Sequence, residues 1–301
     1  MSWVGSSVSR VEDSALLAGR GRFIDDFHLP GMLHAAVVRS PFAHARVGKI
    51  DCCEALKLPG VHAVLTHADL PQPFRDERLL LLVPNPAIRH PVTNYALARD
   101  EVCFAGEAVA FVVADDRYAA EDAAERVMVD YEPLPSASDC RAALAPDAAT
   151  AHVGRADNIA AEFPMAYGDV DGAFAGAAHV IKESFFTHRG GGHAMECRGI
   201  VAAHDPVADS MTLWSNTQAP HMLRNVYARM MGVSEGQVRV IAPPDVGGGF
   251  GPKGMYYQEQ FCAAAAARQL GRPVKWIEDR RENFIATFQE RDQYWDVEIA
   301  V

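Results

Sequence analysis

The sequence has no block of lysine or arginine, no long apolar run and few cysteines, and each absence excludes something. With 28 basic and 39 acidic residues among 301, the formal charge is −11, which disfavours nucleic acid and anionic membrane surfaces as partners. No apolar run approaches the roughly 18 residues that a membrane span requires. The opening Met1-Ser2-Trp3-Val4-Gly5-Ser6-Ser7 lacks the basic-then-apolar order of an export signal. The expectation is a chain neither inserted in a membrane nor exported by a standard signal. The six cysteines, at positions 52, 53, 103, 140, 197 and 262, include only one neighbouring pair. No two of them are spaced for an iron–sulfur cluster or structural zinc, and Cys52 is poorly placed to bond its neighbour Cys53. A reduced, cytoplasmic setting is expected, and the length suits two domains with a well-buried core.

Glycine, by contrast, is concentrated in Val246-Gly247-Gly248-Gly249-Phe250-Gly251-Pro252-Lys253-Gly254. This run lies between a β-rich segment (237–242) and a segment expected to be helical (255–270). Successive glycines let a backbone take positive φ and turn several N–H groups toward one point, and a following helix start would add free donors. The loop therefore reads as a phosphate seat, against the plainer alternative of a glycine-rich turn with no ligand. Gly249-x-Gly251-x-x-Gly254 satisfies a dinucleotide fingerprint, and the next strand-like run (273–277) ends on Glu278-Asp279, as a ribose grip would. Arg239 in the preceding strand and Pro243-Pro244-Asp245 before the loop argue against that reading. A phosphate-loop NTPase is excluded, because Lys253 follows a proline and precedes a glycine.

Residues 20–135 alternate short apolar runs with turn signals. Segments 33–38, 61–66, 109–114 and 127–131 read as strands and 116–126 as a covering helix, which together make a compact α+β unit. A Pro-, Ala-, Asp- and Ser-rich stretch to about residue 155 reads as a crossing segment. Strands are then expected at 180–187, 200–204 and 212–215, with a helix at 218–231. The last run, 293–301, alternates as a strand with one apolar face, and its uncapped end suggests pairing partners on another chain or on residues outside this one, rather than a simple edge strand.

Several stretches together resemble the molybdenum-binding large subunits of the xanthine dehydrogenase, aldehyde oxidase and carbon monoxide dehydrogenase family. They include Gly21-Arg22-Phe23-Ile24-Asp25-Asp26, Pro30-Gly31-Met32-Leu33-His34-Ala35, Arg39-Ser40-Pro41-Phe42-Ala43-His44-Ala45, Gly106-Glu107-Ala108-Val109-Ala110 and Asp130-Tyr131-Glu132-Pro133-Leu134-Pro135. Further on come Met195-Glu196-Cys197-Arg198-Gly199, Ser215-Asn216-Thr217-Gln218-Ala219-Pro220-His221, the glycine loop and Gly271-Arg272-Pro273-Val274-Lys275-Trp276. Order and spacing agree over nearly the whole chain. The fold class implied is α+β, with an α/β-hammerhead domain over residues 1–140 followed by the first part of a mixed α/β molybdenum cofactor-binding domain over 141–301.

The resemblance implies that backbone amides near Gly248, Gly249, Phe250 and Gly251 meet a molybdenum–molybdopterin cofactor, in some members its cytosine dinucleotide form. Gln218 matches the glutamine that hydrogen-bonds an oxygen ligand of the metal, a task suited to a neutral amide. The alternative is a polar residue that satisfies free donors at a helix start. The resemblance implies no direct protein ligand to the metal, so His188 and His193 are not taken as ligands. Glu278 and Asp279 then become structural, expected to pair with Arg280, Arg281 or the nearby helix, and Glu196 is expected to bridge Arg198. Cys197 stands where the family has proline. Gly254 replaces the glutamate that purine-oxidising members use, leaving an aldehyde, an N-heterocycle or a similar carbon centre as the small-molecule substrate. The family's glutamate base matches no residue here, so no catalytic residue is assigned. Expected partners are the C-terminal half of the molybdenum subunit, an iron–sulfur subunit carrying [2Fe-2S] clusters and an FAD subunit, whether the chain is a natural split subunit or a truncated product. A nucleotide-binding (NAD(P) or FAD) oxidoreductase domain and a non-catalytic scaffold half-subunit are the other readings.

Overall fold

A computed structural model describes residues 3–81 and 83–301. Its strands are β1 (Leu33–Arg39), β2 (Ala45–Asp51), β3 (Val61–Leu65), β4 (Glu101–Val102), β5 (Ala108–Ala114), β6 (Met128–Pro133), β7 (Val180–Thr187), β8 (Gly199–Asp205), β9 (Ser210–Ser215), β10 (Val238–Ile241), β11 (Val274–Ile277) and β12 (Gln293–Ala300). One seven-stranded sheet has the order β10-β9-β8-β11-β1-β5-β3. The pairs β1–β11 and β9–β10 are parallel, and the other neighbours in it are antiparallel. Residues from both ends of the chain thus share one sheet, with Leu33 opposite Val274 and Ala35 opposite Trp276. A smaller sheet, β4-β2-β6, comes entirely from the first 133 residues.

The sequence of β5, Ala-Val-Ala-Phe-Val-Val-Ala, is apolar without alternation because every one of its residues is buried. A strand covered on both faces gains from apolar side chains at every position. One cover is the helix Gln258–Leu270, whose alanine run 263–267 is buried and lies against β8, β11 and β5. The other is the helix Arg117–Ala124, where Asp116 caps the first turn by accepting from the Ala119 amide at 2.9 Å. Phe74, Phe111, Phe261 and Trp276 are the largest fully buried side chains of the main core.

Two expectations need correction. The helix after the glycine loop begins at Gln258, because Tyr257 is extended (φ −133°, ψ 156°) and Pro252–Gly254 forms a separate turn. The last strand also finds its partner within the chain. β12 pairs antiparallel with β7 through eight residue pairs, from Gln293 with Thr187 to Ala300 with Val180. Paired residues in such a ribbon share a face, so Ile181, Phe185, Trp295, Val297 and Ile299 form one apolar side, all of them exposed.

A buried ionic network ties the sheet to its helices. Arg39 Nη2 donates to Glu259 Oε1 at 2.7 Å, and Arg39 Nε donates to Glu282 Oε1 at 2.8 Å. Arg198 Nε donates to Glu278 Oε1 at 2.9 Å while its Nη1 reaches Glu259 Oε2 at 3.4 Å, and its guanidinium lies 3.7 Å from the Tyr257 ring centre. Glu278 also accepts from Asn283 and Thr287 at 2.8 and 3.2 Å. Glu259 and Glu282 differ in consequence. Burial opposes ionisation of both, but Glu259 faces Arg198 and Arg39 and stays below the usual carboxylate range, whereas Glu282 has Arg39 alone and is pushed above it.

Candidate functional site

The site follows from strand direction. β10 is parallel to β9, β8 is antiparallel to β9, and β11 is antiparallel to β8, so the ends of β9, β10 and β11 meet the start of β8 at one edge. The segments leaving or entering there are 190–198, 216–219, 242–257 and 278–283. Asn216 locks two of them together by accepting from the Gly199 amide at 3.0 Å and donating to the Cys197 carbonyl at 2.8 Å. Thr217 Oγ1 donates to the Lys253 carbonyl at 3.1 Å, and the Gln218 amide donates to the same oxygen at 2.8 Å. The glycine loop is therefore fastened beside Gln218.

The floor of the loop is an ion pair. Lys253 is buried, and its Nζ donates to Glu196 Oε2 at 2.8 Å. The same oxygen accepts from the Gly247 amide at 2.9 Å, and Glu196 Oε1 takes the Ile24 amide at 3.3 Å. A side chain at position 247 would overlap Glu196, which explains a glycine there. Sequence reasoning missed this floor because it paired Glu196 with Arg198. Residues two apart in extended backbone share a face, which favoured that pairing, but Arg198 instead meets Glu278 and Glu259.

Gln218 does not cap the helix Pro220–Met231, whose N-cap is Ala219 with no side-chain bond. Its Oε1 accepts from the Gly251 amide at 3.0 Å, which leaves the Nε2 hydrogens as donors. A Cβ on Gly249 would lie 2.5 Å from Gln218 Cδ and 2.6 Å from Oε1, so this side chain can occupy its place only over a glycine. Gly248 and Gly251 hold φ of 95° and 96°, and Phe250 holds 52° with its ring exposed. Among the described residues, the amides of Gly248, Gly249 and Phe250 have no hydrogen-bond partner in the chain. The first turn of the helix Gln258–Leu270 is buried, and the Tyr257 amide before it is taken by Gln260 Oε1 at 2.9 Å.

The remaining candidates resolve as structural. Glu278 is fully enclosed, bonded to Arg198 and, on the nearby helix as expected, to Asn283, while Asp279 lies 3.8 Å from Arg281. Asp279 caps the helix Arg280–Ala286 by accepting from the Glu282 amide at 2.7 Å. With Glu278 buried, and with β9 and β8 lying between β10 and β11, the adjacent parallel strands and the ribose-facing acid of a dinucleotide fold are absent here. His193 Nδ1 lies 2.9 Å from Asn283 Oδ1, and the His188 ring packs edge-on to Phe186. Burial raises the Cys197 thiol, which speaks against a reactive thiolate. No helix among the described residues is long and apolar enough to cross a membrane.

Comparison with known proteins agrees with this architecture. The family model described as molybdopterin cofactor-binding domain matches residues 110–301, and that described as aldehyde oxidase and xanthine dehydrogenase, a/b hammerhead domain, matches residues 18–135. The carbon monoxide dehydrogenase large chain of Afipia carboxidovorans is 41% identical over 99% of this chain and 37% of its own length. The nicotine 6-hydroxylase large subunit of Paenarthrobacter nicotinovorans is 38% identical over 99% of this chain and 36% of its own length. Among solved structures, quinoline 2-oxidoreductase from Pseudomonas putida 86 superposes with a TM-score of 0.89 at 38% identity, covering 98% of this chain and 37% of that one. The chain thus spans little more than a third of the length of the relatives it matches.

Proposed function

Because this chain belongs to the aldehyde oxidase and xanthine dehydrogenase family of molybdopterin-dependent oxidoreductases, we propose that it supplies the cofactor-seating part of a molybdenum hydroxylase large subunit. The observation that carries this reading is the unspent donor set at the glycine loop. The amides of Gly248, Gly249 and Phe250 have no partner among the described residues, and the Gln218 amide group is held beside them over a glycine. Such a set fits an anionic ligand with a polar oxygen next to it.

In this assignment the amides of 248–250 would donate to the cofactor's anionic phosphate oxygens. The Gly251 amide orients Gln218 instead of binding ligand, a division that the family resemblance alone did not give. Gln218 Nε2 would donate to a polar oxygen of the bound group and would add no charge there. The dinucleotide form offers the loop more phosphate oxygens than the plain pterin, and we assign the cytosine dinucleotide form. When bound, the molybdenum group supplies oxygen transfer from water to carbon and accepts the two electrons released. A [2Fe-2S] subunit and an FAD subunit would then carry those electrons away, with the rest of the large subunit providing the base.

The substrate class that fits is an aldehyde, an N-heterocycle or a similar electrophilic carbon centre, since Gly254 offers no carboxylate to a purine. The six free thiols suit a reducing cytoplasm. Gln218→Glu tests the assignment in the assembled enzyme. The new carboxylate still accepts from the Gly251 amide but cannot donate. Turnover is expected to fall by roughly ten- to a hundredfold, the equivalent of one lost hydrogen bond to a charged group, with molybdenum content largely kept. Wild-type turnover in this variant would remove Gln218 from the site.

A further inference from the structure

Away from the glycine loop, the fold gathers a carboxylate, a thiol and two imidazoles that the reading above does not use. Glu101 lies on β4, Cys103 follows that strand, and His152 belongs to the crossing segment. The Cys103 Sγ is 3.2 Å from His152 Nδ1, and the same nitrogen is 3.4 Å from Glu101 Oε1. All three donor atoms lie within 4.8 Å of one another.

At 3.4 Å the His152–Glu101 contact is long for an N–H···O bond. Once the thiol gives up its proton, three lone-pair donors converge on one point, an arrangement that suits a cation. A tetrahedral zinc ion, with bonds of about 2.0–2.3 Å, sets its ligand atoms roughly 3.3–3.6 Å apart, close to the 3.2 and 3.4 Å that separate His152 Nδ1 from the other two. The carboxylate is already oriented, because Glu101 Oε2 accepts from the Val153 amide at 2.8 Å and turns Oε1 toward the other two. Outer contacts of this kind fix ligand direction at metal sites. His44 lies on the far oxygen, its Nε2 3.4 Å from Glu101 Oε2, and its Nδ1 donates to the Pro135 carbonyl at 2.8 Å. Glu101 and Cys103 also line a cleft of about 360 Å³ by which an ion can enter and water can fill a fourth position.

We propose that Glu101, Cys103 and His152 form a zinc site that clips the crossing segment onto the β4-β2-β6 sheet. Thiolate, imidazole and carboxylate together suit Zn²⁺ better than Mg²⁺ or Ca²⁺, and two anionic ligands balance its charge. The site was invisible to cysteine counting because it includes a single thiol and because His152 lies 49 residues beyond Cys103.

The test uses the full chain, stripped of metal by a chelator and titrated with Co²⁺ and then Zn²⁺. The expected result is a thiolate-to-cobalt charge-transfer band that Zn²⁺ displaces, absent in Cys103→Ser, with affinity reduced at least roughly tenfold in His152→Ala. Should either variant fail to fold, alkylation of the wild-type chain decides. Zn²⁺ is expected to slow modification of Cys103, mapped by peptide mass spectrometry, while the exposed Cys53 reacts as before. No band in the wild type, a band that survives Cys103→Ser, or alkylation of Cys103 indifferent to Zn²⁺ would each overturn the assignment.

Discussion

Gly249→Ala is expected to cut molybdenum retention by roughly ten- to a hundredfold, the factor that corresponds to an overpacking cost of about 1–3 kcal/mol. The added methyl would lie 2.5 Å from Gln218 Cδ and 2.6 Å from Oε1. Either Gln218 withdraws and releases the Gly251 amide, or the loop shifts, and both outcomes dismantle the donor set. The matched control is Gly254→Ala. That position has no neighbour within 4 Å of an added Cβ and no positive φ, so metal content should stay at the wild-type level. Elemental analysis of the assembled enzyme carrying each variant checks the pair. Equal loss in both would mean that any change to the loop suffices, and equal retention would mean that the seat lies elsewhere.

Arg198→Ala should destabilise the fold by about 3–5 kcal/mol, the range found when one partner is removed from a buried ion pair. The Arg198 side chain is only 6% exposed, and it answers both Glu278 and Glu259, which are 0% and 3% exposed. Its loss leaves Glu278 with only neutral donors, Asn283 and Thr287, and leaves Glu259 with Arg39 alone. Tyr257 loses its stacked cation as well. Denaturant unfolding of the chain at neutral pH measures the effect. A change under about 1 kcal/mol, typical of an exposed pair, would show that the network is solvated and that the enclosure described here is wrong.

These two residues also show what a sequence can and cannot disclose. Most strands were legible, because burial on one or both faces writes itself into local composition. The unbroken apolar run of β5 is an example; β12 was legible by its alternation although its apolar side is exposed, and both expected spans agree with the structure to within a residue or two. The glycine loop was legible as a turn with unspent backbone donors for a similarly local reason, its run of glycines. The helix at Gln258 was misplaced by three residues, because Met255-Tyr256-Tyr257 is apolar enough to continue a helix yet is held extended before it.

Relations across long sequence distance were not legible. Nothing local to Leu33 announces Val274 as its neighbour, and nothing in β12 names β7 as its partner. The same limit hid the Glu196–Lys253 floor and the cluster of Glu101, Cys103 and His152. Each joins side chains whose local surroundings offer an easier explanation, a neighbouring arginine in one case and an isolated cysteine in the other. The family resemblance located Gln218 and the glycine loop, but it did not reveal that the Gly251 amide holds Gln218 in place.

The most direct test of the cofactor seat is molybdenum per polypeptide, measured by elemental mass spectrometry on the complex captured through a tag on this chain in its native host. Stoichiometric molybdenum, accompanied by iron and by flavin-bearing polypeptides, is the predicted result. A folded chain captured without molybdenum would contradict it.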